Sequence, residues 1–182
     1  MAHHASTRER LPVLESFFAE ALASLAPVHS VLDVACGLNP LAAPWMPLAP
    51  DATYTACDIY TDMLAFVGDF LALAGLTGRA APCDVGGPLP DLPAGRADVA
   101  LILKTIPCLE QVDKAAGLRL LDAVDAAHVL VSFPVRSLGG YNKGMVEHYE
   151  ARLHALLAER GWPVTRFAFE TELTFLVDKS QA

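Results

Sequence analysis

The chain has 182 residues, 53% of them apolar and 19% charged, with a formal net charge of -8. That length suits one domain with a sizeable core, and no apolar run approaches a membrane span. The acidic balance argues against a free-standing nucleic-acid binder, which needs clustered Lys and Arg at the phosphates. The charge is also uneven: seven acids and no Lys or Arg lie between Leu11 and Gly78, whereas five bases face three acids between Pro134 and Phe169.

In chain order, Leu11–Leu25 places Leu14, Phe17, Phe18, Ala21, Leu22 and Leu25 at helical spacing, which predicts an amphipathic helix ended by Pro27. Residues 30–35 (SVLDVA) predict a short strand that runs into the turn CGLNP. Residues 52–59 predict a second strand, and residues 61–75 a helix closed by Gly75, with Phe66, Phe70, Leu71 and Leu73 on its core face. A third strand is expected over 79–85, weakened by Pro82, and GGPLPDLPAG reads as a loop. The run Ala97–Leu103 predicts a buried strand, followed by a helix around Lys114–Val124 and a fifth strand over 126–133. After the loop PVRSLGGYNKG come a helix over Met145–Arg160 and an alternating tail, VTRFAFETELTFLVD, which divides near Glu170–Thr171 into two antiparallel strands.

Strands alternating with helices imply a mostly parallel sheet covered on both faces. With its closing hairpin the pattern predicts an α/β, Rossmann-like fold of the class I SAM-dependent methyltransferase type, seven-stranded and mostly parallel. No linker or repeat divides the chain. One domain is expected over 1–182, made of a leading helical segment (1–27) and a SAM-binding α/β core (28–182).

Cys36, Cys57, Cys83 and Cys108 stand singly after short apolar runs and read as buried reduced thiols. The histidines show no ligand spacing, His148 and His154 reading as helix-surface residues, so no metal is expected. Trp45 and Trp162 read as core or edge packing. The opening residues lack the apolar region of a secretory signal, which makes the cytoplasm the expected location.

Ligands of open α/β sheets sit beyond the carboxyl ends of the strands, where strand order reverses. Gly37 follows the first strand and lets the backbone turn close to a ligand, but the dinucleotide fingerprint GxGxxG is absent. Asp58, twenty-one residues after Gly37, closes the second strand, where a carboxylate can accept both ribose hydroxyls of an adenosine. Asp84 closes the third, within reach of an adenine amino group. With Asp33 these are three acids at three strand ends and no phosphate loop, a set that favours S-adenosylmethionine (SAM). Arg8, ahead of the first helix, is the candidate cation for the cofactor's carboxylate.

The stretch KTIPCLEQ, after the fourth strand, then borders the methyl acceptor. The Asn/Asp-Pro-Pro-aromatic loop of exocyclic-amine methylation is absent. Pro107-Cys108 matches the nucleophile pair of cytosine C5 methylation. Attack by a ring nitrogen needs no base, only alignment and exclusion of water.

The stretches HASTRERLP, VLDVACGLNPLA, LILKTIPCLEQ and SFPVRSLGGYNKGMVEHY resemble the aminoglycoside-resistance 16S rRNA (guanine(1405)-N-7)-methyltransferases, from about His4 to Lys179. The resemblance implies that Arg8 holds the SAM carboxylate and that Gly37 with its neighbour Ala35 passes under the methionine part. Asp58, with Ile59, takes the ribose, and Asp84, with Val85, lies near the adenine. Lys104, Glu110, Ser132, Arg136 and the Gly139–Lys143 loop border the target guanine in a substrate-positioning role. The implied partner is the 30S ribosomal subunit through its 16S rRNA, with no membrane and no metal. Members of that family carry a basic, helical RNA-docking region ahead of HASTRERL, whereas Met1 here stands almost on the motif. The alternatives are a SAM-dependent methyltransferase of another RNA or a small molecule, and a SAM-binding homologue that has lost its ribosome docking.

Overall fold

The computed structural model describes residues 5–87, 92, 95–135 and 144–181. Its strands are β1 (Val28–Val34), β2 (Leu48–Asp58), β3 (Thr77–Pro82), β4 (Ala97–Leu103), β5 (Ala126–Pro134), β6 (Val164–Ala168) and β7 (Glu172–Asp178). They form one sheet in the order β3-β2-β1-β4-β5-β7-β6. Strands β1 to β5 pair parallel, and β7 is antiparallel to both β5 and β6. The predicted closing hairpin is therefore present, with its second strand inserted next to β5. Strand order reverses between β1 and β4, which directs attention to what lies beyond Val34 and Leu103.

Val99–Leu103 of β4 and Val129–Val131 of β5 run without a polar residue because both faces are covered. In β4, Ala100 and Ile102 pack with Ile106, Leu120, Leu153 and Leu157 on one face, while Val99 and Leu101 pack with Phe17, Phe18, Leu64 and Val67 on the other. The covering helices are α1 (Ala5–Arg10), α2 (Leu14–Ala21), α3 (Thr61–Leu73), α4 (Ile106–Leu109), α5 (Ala116–Ala123) and α6 (Met145–Leu157). No helix among the described residues is long and apolar enough to cross a membrane.

Several boundaries differ from expectation. The predicted helix Leu11–Leu25 is α2 flanked by two single 3-10 turns, Leu11–Val13 and Ala23–Leu25, with α1 ahead of it. Pro12 lies in the leading turn, where its missing N–H costs no helical bond. Strand β3 lies at the sheet edge and ends at Pro82, three residues short of the prediction, because proline is tolerated only where no ladder bond is required. On α3, Leu64, Val67 and Leu71 are buried, but Phe66 and Leu73 face outward, correcting their assignment to the core. Trp45 is 44% exposed, an edge position, while Trp162 is partly buried under the Lys179 ammonium, 4.7 Å from its ring centroid. Cys108 is exposed rather than buried: α4 turns that edge of the post-β4 segment outward, whereas Cys36, Cys57 and Cys83 are buried free thiols.

Candidate functional site

The end of β1 turns sharply. Ala35 and Gly37 have left-handed backbones (φ 51° and 52°), and the Cys36 N–H donates to the Cys57 carbonyl at 3.0 Å, tying the turn to β2. Glycine adopts this conformation freely and alanine does not, so Ala35 holds its place against strain because both flanks are fastened. One fastener is Asp58, at the last position of β2. Its Oδ2 accepts from the Gly37 N–H at 2.9 Å, and its Oδ1 from the Ile59 N–H at 2.7 Å and the Tyr60 N–H at 3.3 Å. These donors fill three of the carboxylate's roughly four lone-pair sites, which leaves Oδ2 one for a further donor. Ile59 and Tyr60 stand beside it with 56% and 64% of their surface exposed. Asp84 is exposed and accepts from the Gly86 N–H at 2.8 Å, capping its own turn, with Val85 buried beneath. Arg8 lies exposed on α1.

Across the reversal, Lys104 follows β4 with a left-handed backbone (φ 59°), its N–H bonded to the Ser132 carbonyl at 3.0 Å. Its side chain is buried and does not reach outward. The ammonium lies 2.7 Å from Glu9 Oε2 and 3.1 Å from Glu172 Oε1. Glu110, at the end of α4, accepts a bidentate fork from Arg152 of α6 at 2.7–3.2 Å. Gly117 of α5 makes room for it: a Cβ there would sit 2.9 Å from Glu110 Oε1. Ser132 is fully buried, with no hydrogen-bond partner for its hydroxyl among the described residues, so it does not line an open surface. Arg136 and the Gly139–Lys143 loop lie outside the described residues.

Sequence reasoning missed the residues that bind these pieces together. Arg10, buried on α1, donates from Nε and Nη2 to the Glu172 carboxylate at 2.8–3.1 Å and from Nη1 to Asn39 Oδ1 at 2.7 Å. Asn39 passes a hydrogen bond to Asp33 Oδ2 at 2.8 Å, and the Tyr54 hydroxyl donates to the same oxygen at 2.7 Å. One chain of contacts thus runs Lys104–Glu172–Arg10–Asn39–Asp33–Tyr54 beneath both strand ends. The only hint in the sequence was a lone glutamate within the apolar strand ELTFLVD.

Burial pushes the Asp33 carboxyl up to about 7, against the opposing pull of the Asn39 and Tyr54 hydrogen bonds. A raised carboxyl favours folding while the folded protein holds the proton, so its contribution is full below about 4 and lost as pH rises through 7. The shift corresponds to roughly 4 kcal/mol at most. Asp33→Asn keeps one acceptor oxygen and never ionises. It is expected to match the wild type in urea melts near pH 4 and to be the more stable of the two at pH 8. Parallel pH profiles would contradict this.

An open sheet in this order, with an acid-closed second strand and a glycine turn after the first, defines the class I SAM-dependent methyltransferase fold. The ribosomal RNA methyltransferase (FmrO) family model matches residues 1–176, and the chain belongs to that family. It is 37% identical over 98% of its length to a 16S rRNA (guanine(1405)-N(7))-methyltransferase of Micromonospora rosea, and 43% identical over 97% to one of Frankia casuarinae. It spans 64% and 62% of those proteins, less than two thirds of each. Among solved structures it resembles the 16S rRNA methyltransferase RmtF in complex with S-adenosyl-L-homocysteine (TM-score 0.80, 32% identity, 97% of this chain and 66% of that one). It also resembles the 16S rRNA methylase ArmA (TM-score 0.76, 27% identity, 97% and 87%).

Proposed function

We propose that this chain acts as a SAM-dependent methyltransferase on the N-7 of a guanine in the 16S rRNA of the 30S ribosomal subunit, in the cytoplasm, and that its action confers aminoglycoside resistance. The observation that carries the reading is Asp58, a carboxylate fixed by three backbone N–H groups at the end of β2, beside the Gly37 turn. The acceptor set fits a nucleoside without phosphates: carboxylates at two strand ends accept hydroxyl and amino hydrogens and repel a phosphate. Family membership supports the same reading.

Asp58 would take the ribose, with Ile59 against the adenosine and Asp84 and Val85 at its far edge. Ala35 and Gly37 would pass beneath the methionine part, whose carboxylate would meet Arg8. The chemistry that SAM supplies when bound is an electrophilic methyl group on a sulfonium. Guanine N-7 carries a free lone pair, so this chain needs no general base. Its task is to hold the ring in line and to exclude water. Glu110 and Lys104 fix the turn after β4 that would border the guanine, the first through α6 and the second through α1. Arg136 is proposed as a further positioning group. The guanine sits in folded RNA and has to swing out of its stack to reach this turn.

The test is transfer of labelled methyl from SAM to intact 30S subunits. Label in 16S rRNA is the expected result, with kanamycin and gentamicin resistance in a susceptible bacterium. Label in naked RNA or metabolite fractions would move the substrate elsewhere, and SAM binding with no label anywhere would leave a non-catalytic homologue.

A further inference from the structure

We infer that Arg10 is a positioning residue shared by the two halves of the site, its guanidinium fixing the cofactor turn through Asn39 and the Lys104 turn through Glu172. This rests on the proposed cofactor site and adds to it a residue bonded to Glu172 on one side and Asn39 on the other.

The geometry assigns the two branches to different edges of one rigid plane. The Nε/Nη2 edge takes the Glu172 carboxylate, and Nη1 takes Asn39 Oδ1. The Asn39 backbone N–H bonds the Cys36 carbonyl at 2.9 Å, inside the turn that ends at Gly37, so a shift of Asn39 is a shift of the turn itself. On the other branch, Glu172 lies opposite Pro134 in the β5–β7 ladder, at the same sheet end as Lys104, and holds its ammonium. A lysine at position 10 could serve one branch but lacks the fork that serves both.

Arg10 also has leverage on α1. At six residues this helix is too short to be stable alone, and the guanidinium anchors it, lying 4.8 Å above the Phe17 ring centroid. Two residues along a helix is about 200° of rotation. Burying Arg10 therefore turns Arg8 outward, as observed. Glu9, between them, closes the loop onto Lys104.

A purely structural ion pair would affect melting temperature and nothing else at temperatures where the protein is folded. Positioning predicts two further effects. S-adenosylhomocysteine is titrated calorimetrically into the wild type, Arg10→Lys and Asn39→Ala, each shown to be folded by circular dichroism. In parallel, lysines are reductively methylated and their rates read by mass spectrometry, with exposed Lys114 as the internal standard. Arg10→Lys and Asn39→Ala are each expected to weaken cofactor binding about tenfold. Arg10→Lys and Glu172→Gln are expected to expose Lys104, closing most of its protection relative to Lys114. If Arg10→Lys does not fold, Asn39→Ala and Glu172→Gln test the branches separately. Wild-type affinity in Asn39→Ala, or unchanged Lys104 protection in Glu172→Gln, overturns the inference. Failure of the wild type itself to bind the cofactor would instead overturn the proposed function.

Discussion

Asp58→Ala is expected to cut affinity for S-adenosylhomocysteine by about 1–3 kcal/mol, roughly 5- to 150-fold, the scale of hydrogen bonds to a charged group. Two losses combine. The proposed ribose contact disappears, and the Gly37 N–H, 2.9 Å from the carboxylate, loses its acceptor, so the turn proposed to pass beneath the cofactor is released as well. Asp58→Asn separates them. An amide keeps one acceptor oxygen, for either the Ile59 or the Gly37 N–H, but sets an N–H₂ against the other donor. Its effect should fall between wild type and alanine. Calorimetric titration measures both variants, and unchanged affinity in Asp58→Ala would remove the ribose role.

Much of the fold was legible because its physics is local. β4 is apolar in all but Asp98, and its predicted limits, Ala97–Leu103, are those observed. Gly37 and Asp58 announced the turn and the strand end through backbone rules that need no partner. The polar layer was not legible. Arg10 and Glu172 are 162 residues apart in sequence. Read locally, RER ahead of an apolar helix is a solvated charge run, and only the sheet order brings β7 beside β5 and under α1. Lys104 illustrates the same limit. Its position after β4 was readable, but the direction of its side chain was not, because that depends on Glu9 and Glu172. Phe66 and Leu73 failed for a related reason. α3 is apolar almost all round, and only its packing against one edge of the sheet decides which stripe is covered.

Glu172→Leu is expected to cost about 3–5 kcal/mol of folding free energy, the scale for removing one partner of a buried ion pair. For a chain of this length that is roughly a 10 °C fall in melting temperature. The reason is charge balance: Arg10 and Lys104 face Glu172 and Glu9, so deleting Glu172 leaves one cation too many in a layer where Arg10 is 3% exposed and Glu172 0%. Adding Arg10→Met restores the balance, because Lys104 and Glu9 then remain as a pair at 2.7 Å. The double variant should therefore be more stable than Glu172→Leu alone, although it carries one substitution more. A buried pair replaced on both sides by apolar groups is often near neutral, since the desolvation of two charges offsets their attraction. The outcome is read as a coupling energy from urea unfolding of the four proteins in the cycle. Additive losses in the double variant would mean that Arg10 and Glu172 act independently, and the contact between them would then hold no part of α1 in place.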